Sequence, residues 1–89
     1  MIDWSEPALM DMERIVQFLL QDDLVLASDM AQKIFDAGAN LTQMPDRARP
    51  VRVPNTRELL VPKTPCLLIF SREAKVNILR VLHTRQKWP

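Results

Sequence analysis

The chain has 89 residues, twelve Lys and Arg against eleven Asp and Glu, and 47% apolar residues. That length predicts one domain, residues 1–89, built around a single small core. One Gly argues against a glycine-rich phosphate loop, one Cys excludes an internal disulfide or a cysteine-built zinc centre, and no apolar run approaches the ~20 residues of a bilayer crossing. The N-terminus, with Asp3 and Glu6, lacks the basic region and apolar centre of a signal peptide. A cytoplasmic protein is expected, with no membrane partner, no metal and no cofactor.

The net charge of +1 hides a division. Residues 1–46 carry nine acids against two bases, a net −7; residues 47–89 carry ten bases against two acids, a net +8. This predicts an acidic and a basic surface, the second suited to an anionic partner, unless the halves neutralise each other on folding.

In chain order, Met1 to Trp4 suits one short strand. Ser5 is a candidate N-cap, with Glu6 and Pro7 placed where a helix's first turn tolerates them. Ala8, Leu9, Met12, Ile15, Val16, Leu19 and Leu20 then make an apolar stripe, with Asp11, Glu13, Arg14 and Gln17 off it. Gln21-Asp22-Asp23 interrupts, and Asp23 caps a second helix whose stripe runs from Leu26 and Ala27 to Gly38 and Leu41. That helix should stop near Met44, because Pro45 cannot continue it. Two stripes joined by a short connection predict an antiparallel helix hairpin. Their Met residues read as core filler.

Residues 46–55, with Arg47, Arg49, Arg52, Pro50 and Pro54, suit an exposed, extended connection. Three short apolar runs follow, predicting strands near 57–61, 66–72 and 75–83, the last two joined by a tight turn. Alternation along the last strand sets Val76, Ile78, Arg80 and Leu82 on one face, opposite Leu79, Val81 and His83. The predicted architecture is β-α-α-β-β-β in the α+β class, an antiparallel sheet with the helix hairpin packed on one face.

The last third carries a resemblance. Arg57-Glu58-Leu59, Thr64-Pro65 before an apolar strand, Ile78-Leu79-Arg80-Val81-Leu82-His83 and the closing Trp88-Pro89 resemble the RelE/ParE family of toxins from type II toxin–antitoxin systems. Trp4 ahead of a helix holding Ala8, Leu9, Asp11 and Ile15 is similar to the same family, so the resemblance spans the chain and is nearer to ParE-like members. Cys66 and Phe70 stand where Tyr is frequent, Asn55 stands for a frequent Gly, and the sequence ends directly after Trp88-Pro89.

The resemblance implies a toxin that arrests growth and is neutralised by a cognate antitoxin protein, and it offers two targets. ParE-like members inhibit DNA gyrase without being enzymes; RelE-like members are mRNA interferases that cleave messages on the ribosome. Cleavage needs a base, an acid and cations around the phosphate. With Tyr absent, the candidates here would be His83 for proton transfer and Arg57, Arg80 and Arg85 for the phosphate. Missing Tyr and the opposite alternation of Arg80 and His83 favour gyrase inhibition. For target or antitoxin contact the candidates are Arg47, Arg49, Arg52, Arg57, Arg80, Arg85, Lys87 and Trp88.

Overall fold

The computed structural model describes residues 2–41, 49–50, 53–73 and 75–86. It is an α+β structure in the predicted element order: β1 (Ile2–Trp4), α1 (Glu6–Leu20), α2 (Leu24–Ala39), β2 (Arg49–Pro50), β3 (Thr56–Leu60), β4 (Cys66–Arg72) and β5 (Val76–His83). The five strands form one sheet in the order β1-β5-β4-β3-β2. From β2 to β5 every neighbouring pair is antiparallel; β1 joins at the β5 edge in parallel, Ile2 opposite Val76 and Trp4 opposite Ile78. The two-residue β2 lies within the stretch expected to be a plain extended connection.

Both predicted caps are made. The Ser5 side chain accepts from the Ala8 N–H at 3.1 Å, and Asp23 Oδ1 accepts from the N–H groups of Val25 and Leu26 at 2.8 and 3.3 Å. The second helix ends at Ala39 rather than near Met44. Asn40 caps it, and the Leu41 N–H bonds back to Gly38 O at 3.2 Å, a tightened turn that delivers Leu41 into the core. Core burial of Leu41 and the weak helix formers Gly38 and Asn40 stop the helix before Pro45 can.

The core lies between the hairpin and one sheet face. Ala8 and Met12 of α1 and Ile34 of α2 meet Cys66, Leu68 and Phe70 of β4 and Val76, Ile78 and Val81 of β5. The last list departs from strict alternation. Ile69 is opposite Arg80 while Phe70 is opposite Ile78, so β5 bulges at Leu79. The extra residue puts Val81 on the same face as Val76 and Ile78, correcting the expected grouping of Val76 and Ile78 with Arg80 and Leu82.

Candidate functional site

Beyond Ile78, no strand among the described residues borders the outer side of β5, and α1 takes over that edge. The Ser5 N–H donates to Ile78 O at 2.9 Å and the Ser5 hydroxyl to Leu79 O at 2.9 Å. Nearly two turns further along α1, the Asp11 carboxylate accepts from the Val81 N–H at 2.9 Å and from Arg80 Nε and Nη2 at 2.7 and 3.0 Å. Asp11 is only 6% exposed. It therefore belongs to the buried face of α1, not off the apolar stripe as the periodicity suggested. The hydrogen bond to Asp11 holds the Arg80 guanidinium above its ordinary range, against a smaller opposing effect of desolvation. The bidentate pair satisfies an otherwise open strand edge and fixes the height of α1 along β5.

Past this anchor, α1 and the end of β5 diverge and leave a groove of about 390 Å³. Its floor is apolar, formed by Ile15, Phe18, Leu19, Met30, Cys66 and Val81, with Arg14, His83 and Gln86 among its polar lining. Burial pushes the Cys66 thiol up, a hydrogen bond with Thr64 opposing, so the floor stays neutral at physiological pH.

Among the described residues, only His83 and Arg85 of the sequence-predicted site come together. Exposed His83 lines the groove, with its imidazole tied locally: Nδ1 accepts from the Arg85 N–H at 3.0 Å, which assigns the proton of the neutral ring to Nε2. The Gln86 side chain accepts from the His83 N–H at 2.7 Å, closing a small turn that carries Arg85. Arg80 is committed to Asp11. Arg57 sits on β3 opposite Phe70, whereas His83 is opposite Cys66. That separates them by four residues of β4, roughly 13 Å at the strand rise, and by the width of β4 itself. Arg49 contributes backbone to β2, and Arg47, Arg52, Lys87 and Trp88 lie outside the described residues. Among the described residues, no group of His, Cys, Asp or Glu could hold a metal ion.

Comparison with known proteins decides the family. The family described as the ParE toxin of type II toxin-antitoxin systems, parDE, matches residues 2–88. The chain belongs to the ParE toxin family. It is 32% identical over 88 residues to Y4kP of Sinorhizobium fredii, a protein carrying a toxin designation; the match covers 99% of this chain and 92% of the relative. A solved chain of the chromosomal ParDE toxin–antitoxin system of P. aeruginosa superposes with a TM-score of 0.81 at 23% identity, covering 92% of each chain, which shows that the fold is shared.

Membership in the ParE family makes this the toxin component of a toxin–antitoxin system, with an antitoxin as its counterpart. The position of Asp11 was partly legible. It lies three residues after Ala8 and four before Ile15, a spacing that shares their helix face, but a carboxylate there reads as solvated unless a cation is known to come from β5. The groove had no sequence signal of its own, since Phe18, Cys66 and Val81 meet only through the tertiary fold.

Proposed function

We propose that this ParE-family toxin arrests growth by binding and inhibiting DNA gyrase, without chemistry of its own, and that its antitoxin docks in the α1–β5 groove. The observation that carries the first half is the separation of Arg57 and Arg80 from His83, which leaves Arg85 as the one nuclease candidate in its turn. In-line attack at a phosphate needs a proton acceptor or donor and cations within hydrogen-bond reach of one site. Here Arg80 is engaged by Asp11 and Arg57 is roughly 13 Å away along β4 from the position of His83. His83 is held in its turn through Nδ1.

The groove supports the second half. An apolar floor with Arg14 and His83 in its lining suits an amphipathic segment that inserts a few apolar side chains and sets an acidic residue at the rim. Further acids of that segment would meet the arginines of the basic half.

Replacing His83 by Gln tests the reading. The variant should remain folded and keep most of its toxicity, and cells expressing either form should filament and signal DNA damage. A folded His83→Gln protein that loses roughly 10²–10⁴-fold of a ribosome-dependent RNA cleavage shown by the parent would make the toxin an mRNA interferase instead.

A further inference from the structure

The hairpin between α1 and α2 ends in an apolar tip that packing does not explain. Leu24 is 68% exposed and Val25 75%, immediately after the turn; Leu20, just before it, is 45% exposed. None of the three lines the groove; Phe18, which does, lies two residues before Leu20 and is itself 67% exposed. Leu24 and Val25 could be polar at no cost to folding, and single exposed apolar residues need no account, but a contiguous set does. The charge around the set has one sign. Asp22 and Asp23 form the turn, and no Lys or Arg occurs between Arg14 and Lys33. Of the two bases that flank this segment in the sequence, Lys33 is paired with Asp29 at 2.7 Å and Arg14 lines the groove.

We propose that this tip, residues 20–25, is the surface through which the toxin grips its target, and that the target presents apolar side chains flanked by lysine or arginine on a folded protein. Charge complementarity selects the class of partner. An acidic, apolar tip is repelled by a nucleic-acid backbone and attracted to a basic protein surface. The groove, whose lining includes Arg14, suits an acidic segment, so target and antitoxin would engage chemically opposite surfaces. This deepens the inhibitor reading above and rests on it, since a toxin without chemistry of its own must act through a surface of this kind.

The test is the double variant Leu24→Ser, Val25→Ser, with Asp22→Lys beside it. All three side chains are solvent-facing, so circular dichroism and melting should match the parent. Growth arrest on expression should be lost, with at least ~10-fold more double variant needed for the same arrest, the scale of losing an interface anchor. Antitoxin affinity by titration should stay within about twofold, and Asp22→Lys should weaken arrest in the same direction. Unchanged arrest overturns the proposal. So does a parallel fall in antitoxin affinity, which would give the tip to the antitoxin, or conversion of a parent dimer to monomer in sedimentation, which would give it to a second copy. Gyrase supercoiling separates this inference from the target reading. A parent that leaves gyrase untouched while the double variant still loses arrest sinks the gyrase reading and keeps the tip. A parent and double variant that inhibit gyrase equally do the reverse.

Discussion

Asp11 joins fold and site at the scale of a single residue. Its carboxylate is buried, yet all its hydrogen bonds reach across the structure, two to the Arg80 side chain and one to the Val81 backbone. Removing it leaves a partly buried guanidinium and a buried strand-edge N–H without acceptor, so Asp11→Ala should cost about 2–4 kcal/mol in urea unfolding. Asp11→Asn keeps an acceptor and the shape while losing the charge, and should cost less than the alanine variant. If both variants unfold at the parent's urea concentration, Asp11 is not an anchor. Cys66 allows a pH prediction. Its folded thiol is held above the ordinary 9.0 by burial, so the folded state keeps the proton over a pH range in which the unfolded chain has released it. Stability from this group is fully present below pH 9 and falls as pH rises through the shifted value; Cys66→Ala should flatten that decline in alkaline melting curves.

Among the elements, α2 comes close to β1 at Gly38. A Cβ on Gly38 would lie 2.6 Å from Trp4 Cζ2 and 2.9 Å from Ile78 Cδ1. The lone glycine thus lets the helix settle on the Trp4 ring, which also meets Phe35 with centroids 4.9 Å apart. Gly38→Ala gains helix propensity of about 1 kcal/mol, but the clash should outweigh it and leave a net loss of about 1–2 kcal/mol by thermal melting. A stabilised alanine variant would show that the ring moves aside freely. The turns into β3 and β4 share a design. In Val53-Pro54-Asn55-Thr56 and Val61-Pro62-Lys63-Thr64, the Thr N–H and hydroxyl both donate to the Val carbonyl, and the third residue takes a φ of 64° or 63°. Asn55 fills the place of a frequent Gly because Asn tolerates this left-handed geometry. Lys63 has no such aptitude, so Lys63→Gly should hold or raise the melting temperature and Lys63→Val should lower it.

These elements also mark how far the sequence could be read. Period-3.6 stripes and capping residues are local, and both helices with their Ser5 and Asp23 caps follow from them. The end of α2, the bulge at Leu79 and the parallel docking of β1 were not legible. Each depends on a distant partner: the core that takes Leu41, the register of β4 against β5, and the β5 edge left open for Trp4. The repeated turn was present in the letters as Val-Pro-x-Thr, twice at eight-residue spacing. The site was less legible than the fold, because Asp11 and Arg80 are 69 positions apart.

For the whole molecule, the sequence's charge division is partly spent internally. Asp11 pairs with Arg80, and Asp3 with Lys75, each joining the acidic half to the basic half. Two exposed sets remain, the acids Asp22 and Asp23 at the hairpin tip and the bases Arg57 and Arg85 of the second half. If an acidic antitoxin segment meets the second of these, charge reversal at Arg57 and Arg85 should weaken the complex and reduce its sensitivity to salt. Unchanged affinity and salt dependence in a titration would remove electrostatics from docking.

That this ParE-family toxin acts by binding gyrase is tested most directly by a supercoiling assay with purified toxin. The account predicts that the toxin blocks gyrase supercoiling, that His83→Gln blocks it equally, and that added antitoxin restores it. Gyrase that supercoils unhindered in excess toxin, while the same preparation cleaves message on ribosomes, would contradict it.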